Sequence, residues 1–403
     1  MPKEIKIIKN EPILLITLFI APIIIFFLLL IRPLVHIRVG FLHCDRLGHF
    51  TVNTELYYWQ KKETESKKNK KYIDLLYMPR KESCNKTIEL LWRRNLTILP
   101  RLLLRPICLI TRKIKLLHTF VGGRSINSDC DVTNVLKKYS PLIKLSKSEV
   151  NYGYEQLNKM GIPKNSRIVC LNCRDGNYQN DTINFNRHSY RNSTIDNFLP
   201  SIKELTKRGF FVLRMGTSSA NKLTYKSNQV IDYANSEYRN DFMDVFIGSI
   251  CEFCISTGSG FDGIPIIFRR PILYVNFSPY YHIHIENKNS ICIFKHHFLI
   301  KENRFMHPYE ILKHDCFFYL DTHKFESNGI KLLENSPEEI QDVTIEMIEQ
   351  INNNFKIVKR NENLQNEFWN KFPNELKIND KQYYGSLDSR IGNKFLESYS
   401  KFK

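Results

Sequence analysis

The sequence predicts an α/β protein with parallel sheets that follows an N-terminal membrane helix. From residue 36 onwards, short apolar runs of strand length alternate with apolar patterns of helical spacing. An uncharged apolar run precedes them and has about the twenty residues that a bilayer-spanning helix needs. Of the 403 residues, 42% are hydrophobic and 25% are charged, a mix that buries a core and excludes a mostly disordered chain or a coiled coil.

The charge balance predicts anionic partners. Lys and Arg number 59 against 41 Asp and Glu, which gives a formal charge of +18. Such a surface favours nucleic acid, acidic lipid headgroups or phosphorylated small molecules. No recognised nucleic-acid reader motif accompanies the charge, so nucleic acid is not expected as a partner.

The 10 cysteines are scattered and lack the dense spacing of a small secreted domain. We therefore expect reduced thiols in a protein that faces the cytosol.

The first 35 residues are predicted to form a membrane anchor. The apolar run covers residues 12–31 and contains Pro22, which could kink the helix. It is longer than the apolar core of a signal peptide, and no small-residue cleavage site follows it, so an uncleaved anchor is favoured. A single-pass helix is the main prediction and a monotopic hairpin is the alternative. Basic residues stand on both sides of the run and leave its orientation open.

Residues 36–155 are predicted to form the first globular domain. Its strands are expected at 36–44 and 71–78, each followed by a segment of helical pattern at 45–60 and 87–95. A further helix is expected around 147–160, and the Gly/Pro turn at 161–167 marks the boundary to the next domain.

Residues 156–335 are predicted to form a second domain with a parallel sheet. Strands and helices alternate there, which is typical of right-handed crossovers. Gly209 is placed to end the helix at 194–208. Ser336 begins a helix as its N-cap, and the rest of 336–403 is predicted to be a polar helical tail. The strands are expected at 167–173, 210–215, 229–233, 251–256 and 271–276, and the other helices at 241–250 and 261–268.

The candidate binding residues stand where the predicted strands of the second domain end. In an open parallel sheet, ligands bind outside the carboxyl ends of the strands. Two arginines and a Gly-Ser-Gly turn at these positions predict a diphosphate site, because backbone N–H groups of such a turn can approach an anion and arginine binds phosphate through two donors. The candidates are Arg174, Arg214, Gly216, Glu237, Thr257, Gly258, Ser259 and Gly260.

Three further patterns are better explained by structure than by chemistry. Asp129-Cys130-Asp131 matches a metal-binding D-x-D pair but precedes a helical pattern, so helix capping is the favoured interpretation. Two C-x-x-C pairs, Cys170/Cys173 and Cys251/Cys254, lie within predicted strands, where residues three apart face opposite sides; no zinc or other metal site is expected. The chain has no P-loop motif, which argues against a P-loop kinase.

Long segments of the chain resemble a bacterial family of glycosyltransferases of surface-polysaccharide type. The resemblance rests on residues 184–216 and 230–276, and on residues 46–58, which are similar to the family pattern R-[IL]-G-H-x-x-x-N-x-E. It implies two Rossmann-like domains in a GT-B-like organisation. Residues 172–178 are more remotely similar to the phosphate-binding H-x-R-x-G-D/N motif of fucosyltransferases, with Asn172 in place of the His, so fucose specificity does not carry over.

The resemblance implies a metal-independent transferase that moves a sugar from a nucleotide-sugar donor to a glycan or lipid-linked glycan of the cell envelope. The second domain would bind the donor without a cofactor. The first would present the acceptor with Asp45, His49 or Glu55 as general base, and His49 is the first choice. The expected location is the bacterial inner membrane, with the catalytic domains cytoplasmic. A non-catalytic, membrane-tethered module that binds anionic glycan or lipid is the first alternative. Another envelope transferase of similar fold, which moves a phosphorylated or pyruvyl group, is the second. Donor, acceptor and stereochemical outcome stay open.

Overall fold

The computed structural model describes most of the chain, and the contacts within it divide the chain into two compact units. The first unit comprises Met1–Asp129 and Pro141–Lys144, and the second comprises Cys130–Ser140 and Leu145–Lys403. The described residues are 13–69, 71–113, 124–125, 130–175, 187–217, 222–283, 287–356, 358–373, 377–378, 381–382, 385–387 and 389–400.

The first unit is built on a three-stranded parallel sheet. Its elements are α1 (Ile13–Leu30), β1 (His36–Phe41), α2 (Thr54–Lys68), β2 (Tyr72–Tyr77), α3 (Lys86–Arg93), α4 (Arg101–Lys113) and β3 (Arg124–Ser125). The strand order is β2-β1-β3, and β1 pairs with β2 from His36 opposite Tyr72 to Phe41 opposite Tyr77. The predicted alternation of strands and helices is confirmed here.

The apolar run near the N-terminus forms α1, which packs against α4. Ala21 and Ile25 of α1 are buried together with Leu104 and Ile107 of α4. Pro22 lies inside the helix. Over the described part of the chain, no helix combines the length and the apolarity needed to cross a membrane.

The second unit carries a seven-stranded sheet in which neighbouring strands are parallel. Its first elements alternate as predicted, and the helix Asp241–Ile250 matches the predicted helix residue for residue. They are α5 (Val135–Lys138), α6 (Lys147–Lys159), β4 (Arg167–Asn172), α7 (Leu199–Lys207), β5 (Phe210–Arg214), β6 (Val230–Ile231), α8 (Asp241–Ile250), β7 (Phe253–Ser256), α9 (Gly263–Ile267), β8 (Ile272–Phe277) and β9 (Ile291–Phe294).

The remaining elements of the second unit include a small antiparallel sheet, in which His296–Leu299 lies between Arg304–Phe305 and Ile330–Leu333. The elements are β10 (His296–Leu299), β11 (Arg304–Phe305), α10 (Pro308–Ile311), α11 (Thr322–Ser327), β12 (Ile330–Leu333), α12 (Pro337–Ile351), α13 (Lys359–Lys371), β13 (Lys377–Ile378), β14 (Lys381–Gln382), β15 (Arg390–Ile391) and α14 (Asn393–Ser400).

The residues after 336 belong to the core of the second unit and are not only a polar tail. β15 adds a parallel strand beside β9. Phe368 of α13 and Phe395 of α14 are buried, each with its ring centroid 6.4 Å from that of Phe294 in β9. A two-residue strand carries too little periodicity to be recognised from sequence.

The strand order of the large sheet, β15-β9-β8-β7-β4-β5-β6, reverses between β4 and β7. The chain runs from β4 outwards to β5 and β6, and then returns to the other side of β4 to form β7, β8 and β9. The order over β6 to β9 is that of a doubly wound Rossmann-like fold. The reversal makes the carboxyl ends of β4 and β7 the topological switch point of the sheet.

Local signals in the second unit explain where its helices begin and end. Ser336 Oγ accepts from Glu339 N at 3.2 Å, and Glu339 Oε2 accepts from Ser336 N at 2.8 Å, so the predicted N-cap is confirmed. Gly209, with φ of +83°, follows the end of α7 as expected. Gly153 of α6 lies directly against the ring of Phe246 in α8, so α6 belongs to the second unit. Most of this helix was predicted from the sequence to lie in the first domain.

Candidate functional site

The candidate site lies at the topological switch point of the second unit. Arg174 follows β4, and the turn formed by Thr257, Gly258, Ser259 and Gly260 follows β7. Asn172 at the end of β4 pairs with Ser256 at the end of β7, so the two segments are neighbours. Crevices at such a point bind ligands in open parallel sheets. Five of the eight predicted donor-binding residues therefore come together here.

Arg174 is held by its backbone and by one side-chain contact. Its N–H donates to Thr257 Oγ1 at 3.0 Å, and its C=O accepts from Ser193 N at 2.8 Å. Its Nε donates to Asn192 Oδ1 at 3.1 Å. Burial and then the positive charge of Arg191 lower the pKa of Arg174 to about 10. The nearby charge of Asp175 opposes this shift, but within the described ranges no carboxylate lies close enough to Arg174 to form a salt bridge.

Arg191 is a second cation at this point, and the sequence analysis missed it. It ends a short 3₁₀ turn at Ser189–Arg191, and its Nη2 donates to the C=O of Gly258. Gly258 has φ of +80°, and a Cβ there would lie 2.9 Å from Cε2 of Phe277. Only glycine therefore fits this turn beside Arg191. Because no strand precedes Arg191, a search of strand ends does not find it.

A buried carboxylate, that of Asp262, organises the Gly258 turn. Its Oδ1 accepts from Ser256 Oγ at 2.5 Å and from Asn172 Nδ2 at 3.0 Å, and its Oδ2 accepts from Ser259 N at 2.9 Å. Burial raises the pKa of Asp262 although these bonds oppose the shift. The N–H of Gly258 donates to Ser256 Oγ at 3.1 Å. The N–H groups of Gly258 and Ser259, expected to face an anion, thus donate within the turn, and the outward positive charge comes from arginine side chains.

Arg214 and Gly216 lie one strand away, after β5. Arg214 is only 1% exposed, and its Nη atoms lie 3.7 Å from Asp175 Oδ2 and 3.8 Å from Asp232 Oδ2. A buried guanidinium between two carboxylates braces the loops after β4 and β6 and is already charge-compensated. Gly216 accepts from Arg239 Nε at 2.9 Å through its C=O. Glu237 is exposed and follows β6, two strands from β4.

Lys295, which follows β9, is the third cation of the site. Like Arg191, it was not predicted from the sequence. It is 4% exposed, and its Nζ donates to the C=O of Asn192 at 2.5 Å. Burial lowers its pKa. Asn192 therefore accepts from Lys295 through its backbone and from Arg174 through its side chain, so one residue links the two cations.

In the first unit, the predicted base Glu55 lies in the interior. It is 0% exposed. Its Oε1 accepts from Trp59 Nε1 at 3.0 Å and from Leu142 N at 3.1 Å. These contacts connect α2 to the segment Pro141–Lys144, so Glu55 stabilises the packing of the first unit.

Asp45 and His49 lie between β1 and α2. Asp45 is exposed, and His49 is half-buried at the start of a π-helical turn, His49–Asn53. Such turns are frequent at functional sites. His49 Nδ1 lies 3.2 Å from Asn53 Nδ2, and its ring centroid is 5.8 Å from that of His43. If Asn53 donates to Nδ1, the neutral His49 ring carries its proton on Nε2.

The carboxylate of Asp131 caps α5, as predicted. Its oxygens accept from Val135 N at 2.9 Å and from Leu136 N at 2.8 Å. Asp129, the other member of the D-x-D pair, lies outside the described residues. The capping role of Asp131 is confirmed.

The C-x-x-C pairs lie in and beside the strands β4 and β7. Cys170 of β4 pairs in register with Cys254 of β7, and both are buried. Burial raises the pKa of Cys173 to about 12, which favours its thiol form over the thiolate that binds metal. No cluster of three or more His, Cys, Asp or Glu side chains suited to a metal ion occurs among the residues with described positions.

Three solved structures are similar to parts of this chain. A glycosyl transferase of family 9 from Veillonella parvula DSM 2008 has 11% identity and a TM-score of 0.41, over 64% of this chain and 86% of its own. The E. coli ADP-heptose lps heptosyltransferase II has 12% identity and a TM-score of 0.31, over 60% and 86%. The wall teichoic acid polymerase TagF has 10% identity and a TM-score of 0.25, over 79% and 90%. No family model and no curated protein match the chain. The three similarities are too remote to assign a family.

Proposed function

We propose that the protein is a glycosyltransferase that moves a sugar from a nucleotide-diphosphate donor to a cell-envelope glycan or lipid-linked glycan. One observation carries the proposal. Arg174 and Arg191 stand together at the switch point of the second unit, and among the described residues neither has a carboxylate ion-pair partner. Two neighbouring cations of this kind need an anion of more than one charge to balance them. The two-domain GT-B-like organisation belongs to the same proposal.

A diphosphate fits these cations better than a single carboxylate does. Each guanidinium offers several N–H donors in a planar fork, which suits phosphate oxygens. Arg174 keeps donors beyond its Nε, which is committed to Asn192, and Arg191 keeps donors beyond its contact with Gly258. Lys295 is tied through Asn192 to Arg174 and adds to the local positive potential. The site thus offers charge for two phosphoryl groups.

The same charges would assist transfer. When the bond between the sugar and the diphosphate breaks, negative charge grows on the leaving oxygen. Preorganised cations at that position stabilise the transition state without having to reorganise. In this proposal, Arg174 and Arg191 do what a divalent cation does in metal-dependent transferases, and the reaction proceeds without a metal.

The first unit would supply the acceptor side. Of the three predicted bases, Asp45 is exposed and accessible to a substrate from solvent. His49, four residues later in the chain, is half-buried. If Asn53 donates to His49 Nδ1, His49 Nε2 would donate to an acceptor oxygen, whereas the Asp45 carboxylate can accept a proton from it. We therefore place Asp45 first as general base, and His49 second.

A donor screen tests the proposal. The full chain is incubated with sugars linked to uridine, guanosine, adenosine, cytidine and thymidine diphosphate, and release of nucleoside diphosphate is measured with and without EDTA. We expect release from one donor class, undiminished by EDTA. Asp45→Asn should slow release in the presence of acceptor and leave donor affinity unchanged. Binding of a donor without release in any acceptor extract would favour the non-catalytic module, and a lack of any nucleotide binding would overturn the donor site itself.

A further inference from the structure

The helix α1 has an apolar surface that the first unit covers on only one side. All residues of α1 are uncharged, and almost all are apolar. A helix that is apolar all round needs apolar surroundings on every side. One side packs against Leu104 and Ile107 of α4 through Ala21 and Ile25, as described above. The opposite side has no cover within the described residues.

The uncovered side forms a continuous stripe, here called the outer face of α1. Its residues recur at intervals of three and four, so they lie on one side of the helix. They are large and exposed, with exposed fractions of 81% for Phe19 and 88% for Leu34, which follows the helix. From Ile16 to Leu30 the stripe runs about 21 Å along the axis. The outer face comprises Ile16, Phe19, Ile20, Ile23, Phe26, Phe27, Leu30, Ile31 and Leu34.

The sequence next to the outer face is mainly basic, although Glu11 directly precedes the apolar run. Residues 12–44 and 101–113, which include α1 and α4, contain no Asp or Glu. They contain several arginines, among them Arg32 just after α1 and Arg101 and Arg105 on α4. Basic side chains around an apolar face are typical of segments that bind the surface of an anionic bilayer.

We propose that the outer face of α1 is embedded in one leaflet of an anionic bilayer, with the helix axis along the membrane surface. The contact with α4 argues for this orientation. A helix crossing the bilayer would have to leave α4 and expose Leu104 and Ile107, whereas a helix lying in the surface keeps that contact and places its outer face in lipid. A second copy of the chain is a poorer cover, because it would bring two basic surfaces together.

Vesicle sedimentation with the full chain tests the binding. The probes are phosphatidylcholine vesicles with and without phosphatidylglycerol. We expect strong binding with phosphatidylglycerol and at least tenfold weaker partitioning for the double variant Phe19→Ser/Phe26→Ser, because both rings would lie in lipid. Both rings are exposed in the protein, so the melting temperature should be unchanged. Ile300→Ser removes a side chain of the second unit that is 56% exposed, close to the 58% of Phe26, and should bind as the parent does.

The depth of two positions tests the orientation. Phe19→Trp and Leu30→Trp are prepared separately, and quenching of the added tryptophan fluorescence by brominated lipids is measured. The positions are about 16 Å apart along the helix. A helix lying in the surface predicts similar, shallow depths. A spanning helix predicts depths that differ by about half of that distance, because Phe19 would lie near the bilayer centre and Leu30 near one surface.

Three results would overturn the proposal: equal sedimentation of the parent and the double variant, clearly different depths for the two tryptophans, or a dimer in vesicle-free solution that the double variant dissociates. The last result would assign the outer face to a second copy of the chain.

Discussion

Arg174 and Arg191 are two like charges held at the same turn of the second unit. Arg174 is fixed through Thr257 and Asn192, and Arg191 through the C=O of Gly258. Burial, together with the charge of Arg191, lowers the pKa of Arg174 to about 10. Each charge therefore raises the free energy of the other in the unliganded protein. An anion bound between them would relieve this repulsion.

Binding of a nucleoside diphosphate should accordingly stabilise the protein. At a ligand concentration one hundred times the dissociation constant, the gain in unfolding free energy is about 2.7 kcal/mol. We expect a rise in melting temperature with the matching diphosphate and none with the uncharged nucleoside. In Arg191→Gln the rise should be smaller at the same ligand concentration. Equal rises in parent and variant would remove Arg191 from the site.

Gly258→Ala should damage both the turn and the site. The φ of +80° is costly for alanine, by about 1–2 kcal/mol, and its Cβ would meet the ring of Phe277. The turn would have to move, and with it the carbonyl that holds Arg191. We expect a lower melting temperature and weaker diphosphate binding. Gly329→Ala is a control with a similar φ of +67° and open space around it, so it should cost stability without affecting binding.

Asp262→Asn should test whether the buried carboxylate holds the Gly258 turn in place. An amide at this position turns one acceptor into a donor that faces Ser259 N or the pair Ser256 and Asn172. A buried group left without its partner costs about 1–3 kcal/mol. Thermal unfolding should show this loss, together with weaker diphosphate binding because the turn loosens. Asp196→Asn, on an exposed side chain, should change neither. An unaltered melting temperature for Asp262→Asn would contradict the network.

Glu346 of α12 should make stability depend on pH. Burial raises its pKa to about 7 from an ordinary value of 4.5. Between these two values the folded protein still binds a proton that the unfolded chain has lost, so the unfolding free energy falls as pH rises from 4.5 to 7. Glu346→Gln keeps an acceptor for Asn393 N and removes this dependence. The unfolding free energy of Glu346→Gln minus that of the parent should therefore be higher at pH 8 than at pH 4, by up to about 3 kcal/mol. Chemical denaturation at the two pH values measures this difference.

Glu338→Gln is the matched control for Glu346→Gln, because it lies on the same helix with an exposed side chain. Its stability should follow that of the parent across the same pH range. A constant difference between Glu346→Gln and the parent from pH 4 to pH 8 would show that Glu346 ionises normally in the folded protein.

Much of the fold could be predicted from the sequence, because the strands of the second unit are short apolar runs bounded by Gly, Pro and charged residues. The helix Asp241–Ile250 and the cap at Ser336 follow from local signals alone. β15 could not be found this way. It has two residues, and its position beside β9 depends on contacts that the tail makes through Phe368 and Phe395.

The candidate site could be predicted only in part. The rule that ligands bind at carboxyl ends of strands identifies Arg174 and the Gly258 turn. It also selects Arg214, whose burial between Asp175 and Asp232 depends on the tertiary structure. Arg191 and Lys295 were missed because they reach the site through contacts with Gly258 and Asn192, and such contacts leave no pattern in the sequence.

The affinity of the full chain for a nucleoside diphosphate, measured for Arg174→Ala by calorimetry beside its melting temperature, tests the central claim most directly. Loss of a charge-assisted contact costs about 1.5–3 kcal/mol of binding, so affinity should fall by about one to two orders of magnitude with little change in melting temperature. Arg174→Lys should recover part of the affinity, since an ammonium lacks the planar fork. Arg208→Ala, which removes a surface ion pair with Glu204, should bind as the parent does. Unchanged affinity with a lowered melting temperature in Arg174→Ala would contradict the claim and leave Arg174 a purely structural residue.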